Sequence, residues 1–349
     1  MTATVNIFML ALICLAGAIS WAGTVLVVRY NVELGLIEPP NARSSHFNPT
    51  PHGGGIGIVM GGTIAGAALL LLQSDWIRAS ILVLGLLIAA TGLIDDIKQL
   101  SARTRLGVQI VATGLLLATL NPLPALLLPG HLAITGAILS IGLFLGCIWW
   151  LNLFNFMDGI DGLAGSQAVF MLTTASIFAA CLDHRALGNM SWYWMLATTA
   201  ACVGFLILNW PPARIFMGDV GSTYLGFVIF ALALCTIRDG LLPYTAWLIL
   251  GACFIVDAST TLLRRTLAGQ RWSHAHRSHA YQRLTRAWRS HRKVTLLILC
   301  INLFWLAPLV WGTLTHPDQS WIFVFAAYLP LVAAAVLVGA GKTEDVKKN

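Results

Sequence analysis

The sequence predicts an all-α, polytopic integral membrane protein of about eleven transmembrane helices, with its N-terminus outside and its C-terminus cytoplasmic. Of the 349 residues, 58% are hydrophobic and only 10% charged, whereas a water-soluble protein carries about 25% charged residues. The apolar residues come in blocks of roughly 15 to 22, the length that crosses a hydrocarbon core as a helix. Lys and Arg crowd into alternate connections between those blocks, the signature of fixed sidedness.

The blocks fall at 7–28, 53–72, 79–94, 106–121, 132–151, 164–181, 191–209, 222–237, 244–263, 294–313 and 321–340. The first lacks a basic leader and a small-residue cleavage site, so it is a retained span. In the second, Gly53, Gly57 and Gly61 recur every four residues, a small-residue stripe for helix packing. Gly53, Gly54, Gly55 and Gly57 are no dinucleotide fingerprint, because no strand precedes them and Met60 stands in the third glycine's place. Of the 21 Lys and Arg, all but Arg78, Arg185 and Arg238 lie in the odd-numbered connections or the tail, which makes that side cytoplasmic. The +7 net charge follows from this topology and calls for no nucleic-acid partner. The seven scattered cysteines include no CxxC pair and serve as small buried hydrophobes. Trp149, Trp150 and Trp210 stand at span ends, where aromatic belts anchor a bundle to the bilayer. With no internal repeat or inverted halves, residues 1–349 form a single transmembrane domain.

Segments 29–52, 95–105, 152–163, 210–221 and 264–293 are far apart in the chain, yet parity of spans places them all on one face. They carry Asp95, Asp96, Asp158, Asp161 and Asp219, five aspartates on the side where bases otherwise prevail. Adjacent carboxylates near a bilayer repel and lose solvation unless a divalent cation neutralises them. Mg2+ suits this set, since it takes one or two carboxylates plus waters and substrate phosphates, and Mn2+ is able to substitute. Asp158 to Gly162 lacks the spacing and closing Glu of a calcium loop, and its glycines suit tight turns and close approach to phosphates. His274, His276 and His279 lie among six arginines between Arg264 and Arg286, with no Cys or acid to complete a zinc set. That mixture grips phosphates, with Arg277 central in it. Asp257, within the ninth span, is a partner for those bases. Phe216, three residues before Asp219, offers a surface on which a nucleobase stacks, while Thr50 and His52 stand at the mouth of the second span.

Together, Asp95-Asp96, Asn152-x-x-Asn155-x-x-Asp158-Gly-x-Asp161-Gly, Phe216-Met-Gly-Asp219-x-Gly-Ser222 and the histidine loop resemble the polyprenyl-phosphate N-acetylhexosamine 1-phosphate transferases of glycosyltransferase family 4. The resemblance runs from Glu38 to Arg283. It implies an enzyme of the bacterial inner membrane, its active site facing the cytoplasm, that moves a sugar 1-phosphate from a UDP-sugar to undecaprenyl phosphate. It implies that Asp219 ligates Mg2+ directly, with Asp158 as a further ligand, and that Asp95, Asp96, Asp158 and Asp161 complete the metal and phosphate site. Asn209 and Phe216 would contact uracil, while Asn155 and the histidines, His276 and His279 above all, would hold diphosphate or sugar. Thr50, His52, His274 and Arg277 complete the substrate contacts. The spaced histidines and Thr50-Pro-His-Gly-Gly-Gly55 resemble the branch that starts O-antigen synthesis. Which histidine matters, which N-acetylated sugar is used, and whether the lipid phosphate attacks directly or through an aspartyl-phosphate stay open. A second copy of the chain is the one protein partner this reading allows. A transporter or lipid flippase is the competing class, although Asp257 is its one mid-membrane ionisable candidate.

Overall fold

The computed structural model describes residues 3–38, 50–270 and 277–342. The helices are α1 (Ala3–Arg29), α2 (Gly55–Leu72), α3 (Trp76–Lys98), α4 (Ala102–Leu120), α5 (Gly136–Phe156), α6 (Leu163–Leu182) and α7 (Met190–Asn209). They continue with α8 (Gly218–Arg238), α9 (Tyr244–Leu250), α10 (Ala252–Leu267), α11 (Ala280–Trp288), α12 (His291–Ile301), α13 (Ala307–Thr315) and α14 (Ser320–Val338). Two short antiparallel pairs accompany them: β1 (Ile37–Glu38) with β2 (Thr50–Pro51), and β3 (Leu126–Leu127) with β4 (Ala133–Ile134).

The first N–H groups of a helix have no partner within it, and polar side chains at the starts supply one. Asp75 accepts from Ile77 N at 3.0 Å to begin α3, Ser101 from Thr104 N at 3.2 Å to begin α4, and Asn189 from Ser191 N at 2.8 Å to begin α7. α8 forms the centre, packed against α3, α5 and α2. Of its apolar stretch 94% is buried, against 17% in the last span, so α8 is wrapped by protein and α14 faces outward. The glycine stripe of α2 packs on α1, where a Cβ at Gly57 or Gly61 would stand 2.3 Å from the carbonyl oxygen of Ser20 or Ala16.

Among the described residues nine straight segments are long and apolar enough to cross a membrane, and α9 with α10 forms a tenth, bent by 70°. Two of the eleven expected blocks depart from expectation. The fourth is α4, which carries Arg103 and Arg105 near its start and is not among the nine. The ninth, 244–263, breaks at Gly251. A break inside a bilayer frees backbone groups that need partners. Gln167 Nε2 of α6 donates to Leu250 O at 2.9 Å, and Asn302 Nδ2 donates to Gln167 Oε1 at 2.7 Å. Asn302 itself begins a π-helical segment, Asn302–Leu306, between α12 and α13. One buried amide pair thus ties two irregular helices together.

Trp150 and Trp149 correct the belt expectation. Trp150 is buried and donates from Nε1 to Gly226 O at 2.9 Å, and Trp149 donates to Ser259 Oγ at 3.1 Å, so both pack inside the bundle. Two arginines expected to grip phosphate are also engaged elsewhere. Arg264 donates to Ala340 O at 2.7 Å and Arg283 to Val338 O at 3.0 Å, holding the carbonyls that follow α14.

Candidate active site

The site forms where α3 and α5 end and α2, α4 and α8 begin. Asp95, in the last turn of α3, accepts from Leu100 N at 2.5 Å and from Arg105 Nη1 at 2.6 Å. The same Arg105 nitrogen reaches Asp219 Oδ2 at 3.1 Å, bridging two aspartates from different helices. Asn155, near the end of α5, donates to Asp219 Oδ1 at 2.8 Å and to Ser222 Oγ at 2.9 Å. Gly218 has a φ of +77° immediately before Asp219, and a Cβ there would stand 2.6 Å from Asp96 Oδ2, so only glycine permits this approach.

The five aspartates fall into two groups. Asp96 accepts from Asp219 N at 2.8 Å and Val220 N at 3.1 Å, capping α8 from a neighbouring helix. Asp161, 4% exposed, accepts from Ala213 N at 3.0 Å and faces His291 Nδ1 at 3.0 Å, tying the α7–α8 connection to α12. Both carboxylates thus bond to backbone of the α7–α8 connection and the start of α8. Asp158 differs: its carboxylate accepts no hydrogen bond from a described residue. Burial, and then the negative charges of Asp219, Asp96 and Asp161, hold its carboxyl well above the usual carboxylate range.

The remaining expected residues are placed as follows. Thr50, in β2, lies on a strip that reaches Phe216: Phe216 N donates to Pro51 O at 2.9 Å and Gly54 N to Phe216 O at 2.8 Å. His52 Nε2 donates to the Asp96 carbonyl at 3.1 Å, leaving its Nδ1 lone pair buried with no partner among the described residues. Asn209 is buried, with Oδ1 accepting from Gly162 N at 2.9 Å and Nδ2 donating to Ile215 O at 2.8 Å. The oxygen and one of the two Nδ2 hydrogens of that amide thus fix the turns at Gly162 and Ile215. His274 and His276 lie outside the described residues. His279 is 3% exposed and caps α11, its Nδ1 3.3 Å from Asp257 Oδ1. Asp257 also accepts from Ala280 N at 2.8 Å and Tyr281 N at 2.9 Å, fastening α11 to α10. Arg277 O accepts from Arg286 Nη2 at 2.7 Å. Tyr281 Oη donates to Phe156 O at 2.9 Å, and a Cβ on Gly159 would meet that hydroxyl at 2.0 Å. Gly159 is therefore open for a tyrosine, not for a phosphate.

Sequence reasoning missed Arg105, counted only as a topological charge, as well as His291 and Tyr281. Nothing local marks an arginine ten residues past Asp95 as its partner.

The donor set fits a hard divalent cation. Arg105 bridges Asp95 and Asp219, Asp96 bonds the start of α8 beside them, and Asp158, raised by burial and by the charges of Asp219, Asp96 and Asp161, accepts no hydrogen bond from a described residue. Among the described residues no three His, Cys, Asp or Glu side chains converge as a ready metal cage. The protein would thus contribute one or two ligands, Asp219 and Asp158, as Mg2+ sites commonly do. Each Asp219 oxygen keeps a lone pair beyond those used by Asn155 and Arg105.

An apolar cavity of about 520 Å³ runs between α5, α8 and the broken α9–α10 span. It extends from Tyr244 and Ile237 to Leu153, two residues before Asn155.

A family model described as glycosyl transferase family 4 matches residues 78–237, the stretch that carries Asp95, Asp158 and Asp219. The chain is 30% identical to a decaprenyl-phosphate N-acetylglucosaminephosphotransferase of Mycolicibacterium smegmatis, over 87% of this chain and 81% of that one. It is 29% identical, over 90% and 87% of the two chains, to a Bacillus subtilis protein named "Probable undecaprenyl-phosphate N-acetylglucosaminyl 1-phosphate transferase". A phospho-N-acetylmuramoyl-pentapeptide-transferase of Mycolicibacterium paratuberculosis is 33% identical over 62% of this chain and 70% of its own. A relative matched over most of its length and a family model lying across the aspartate-bearing helices agree, and the chain belongs to glycosyl transferase family 4.

Proposed function

We propose that the protein transfers a sugar 1-phosphate from a UDP-sugar to a polyprenyl phosphate, with Mg2+ held by Asp219 and Asp158. The observation that carries this is the cluster of carboxylates held by Arg105 and Asn155 where α3 and α5 end and α8 begins, with α5 and α8 also lining an apolar cavity. One reactant needs a polar, charge-balanced site, and the other needs a place for a hydrocarbon chain. Leu153, in the same last turn of α5 as Asn155, lines that cavity, so a prenyl tail lying there would run toward the end of the bundle that carries the aspartates. Relatives that act on undecaprenyl- and decaprenyl-phosphate with N-acetylglucosamine favour an N-acetylated hexosamine as the sugar and undecaprenyl phosphate as the acceptor.

A phosphate monoester has a second pKa of about 6 and is largely a dianion at neutral pH, so the acceptor needs no strong base. One of its oxygens attacks the phosphorus that carries the sugar. The bond from that phosphorus to the bridging oxygen breaks, and UMP departs with the electron pair. Repulsion between two anions opposes the approach, and a bound Mg2+ supplies charge neutralisation there. Arg105 orients the Asp95 and Asp219 carboxylates, Asn155 fixes Asp219, and Asp96 holds the start of α8 so that Asp219 points into the site. The unpartnered His52 Nδ1 is an acceptor for a substrate hydroxyl, and Phe216 and Thr50, joined by the β2 strip, line the same approach.

The distribution of bases supports a bacterial inner-membrane enzyme with this end cytoplasmic. The spacing of His274, His276 and His279 supports a product that starts O-antigen or another envelope polysaccharide. A homodimer is compatible with this reading. The test is purified protein, labelled UDP-N-acetylglucosamine, undecaprenyl phosphate and Mg2+. Label entering the organic phase, with UMP released and both lost on chelation, supports the proposal; failure across a panel of UDP-sugars removes it.

A further inference from the structure

The far ends of α3 and α8 form a second polar site. Arg78 is 17 residues from Asp95 along α3, about 26 Å at 1.5 Å per residue, and Arg238 closes α8 opposite Asp219. Both arginines line a cavity of about 550 Å³, together with Asp75, Asn189, Ser191 and Asp239. Two arginines and two aspartates make the lining neutral overall, and what distinguishes it is which of those groups are already partnered. Asp75 is committed to Ile77 N at 3.0 Å and to Arg78 Nη2 at 3.4 Å, and Asp239 accepts from Asn189 Nδ2 at 2.5 Å. Arg238 has no ion pair with a described residue. Arg78 Nε is buried with no acceptor among the described residues, an expensive state for an N–H unless something else accepts from it. The acids already have donors, while Arg238 and the Nε of Arg78 lack acceptors among the described residues.

Exposed apolar side chains stand close by: Trp76 lines the cavity, and Leu71 and Leu72 end α2 just before the lining begins at Gln73. Leu71, Leu72 and Trp76 are 89%, 52% and 60% exposed, in the position where a span meets the bilayer surface. A tryptophan and two leucines turned outward place lipid beside this opening, and arginine is the side chain best shaped for a phosphate. We propose that this cavity binds the phosphate of an anionic phospholipid in the leaflet opposite the active site, with Arg78 and Arg238 as its donors and the acyl chains lying against Leu71, Leu72 and Trp76. The site is independent of the transfer reaction, and its test does not depend on activity.

The full-length protein in detergent is titrated with short-chain phosphatidylglycerol, and backbone hydrogen exchange is followed at Gln73 to Ile77 and Gly188 to Ser191. Exchange is expected to slow at both segments with phosphatidylglycerol, but not with a diacylglycerol of the same chains or with inorganic phosphate alone. Arg238→Gln, at an exposed position that leaves the fold intact, is expected to weaken the effect about tenfold. Arg185→Gln removes the same charge from the same face, where Arg185 pairs with Asp183 outside the cavity, and should change nothing. Equal weakening by both variants, or protection by diacylglycerol, would overturn the proposal. Protection by inorganic phosphate alone would overturn the lipid assignment.

Discussion

Asp158 and Asp161 stand three residues apart in one turn, and their surroundings give them opposite work. Around Asp161 the chain has closed in: a backbone N–H of the α7–α8 connection donates to one carboxylate oxygen, His291 Nδ1 of α12 stands 3.0 Å from the other and accepts from Asp161 N at 3.3 Å, and Thr295 Oγ1 donates to its carbonyl at 2.9 Å. Around Asp158 no described residue donates a hydrogen bond to the carboxylate, and burial, with three other aspartates nearby, resists its ionisation. A carboxylate satisfied by protein donors holds structure. One left unsatisfied among like charges is prepared for a cation the protein does not itself supply. Asp96, bonded to two backbone N–H groups at the start of α8, resembles Asp161, whereas Asp219 lies between the two cases, oriented by Asn155 and Arg105 yet keeping a lone pair on each oxygen for a cation.

Substitutions should separate the two groups. The largest effect is expected at Asp219→Asn, which should lower kcat by on the order of 10³-fold with the fold intact by size exclusion. Asp158→Asn should cost about 10²-fold in transfer and yet stabilise the protein. A carboxyl whose folded pKa lies above its unfolded value costs stability wherever it is forced to ionise in the fold. At about pH 8 without divalent cation, the melting temperature should therefore rise in the variant, and a fall would place Asp158 among the structural aspartates. Asp161→Asn should reverse the pattern, losing about 3 kcal/mol of stability through the broken buried pair while kcat per folded molecule stays within about threefold. Gln167→Leu should have the smallest effect on chemistry. By releasing Leu250 O it relaxes the broken span beside the apolar cavity, raising KM for the polyprenyl phosphate and leaving KM for the UDP-sugar unchanged.

The blocks of the bundle were legible because hydrophobic length is a local property, and the common face of the five loops followed from counting spans. The break at Gly251 was not legible, because one glycine inside an apolar run looks like any other; the polar partners that permit it, Gln167 and Asn302, lie 84 and 51 residues away along the chain. The aspartates could be found, but not sorted. Whether a carboxylate is free depends on N–H groups at Val220 and Ala213 that arrive from other loops. Arg105 shows the same limit, since its importance lies in a contact with Asp219, 114 residues away. Trp150 looked interfacial by position and is buried because Gly251 leaves room for its indole and Gly226 O accepts its N–H.

The most direct test of the division between Asp158 and Asp161 is a Mn2+ titration followed by electron paramagnetic resonance on the purified chain and its variants. Saturable binding should be seen in the unaltered protein and in Asp239→Asn at the opposite end of α8, and should be lost in Asp158→Asn and Asp219→Asn. Unaltered Mn2+ affinity in both of those last variants would contradict the assignment of the cation to this pair.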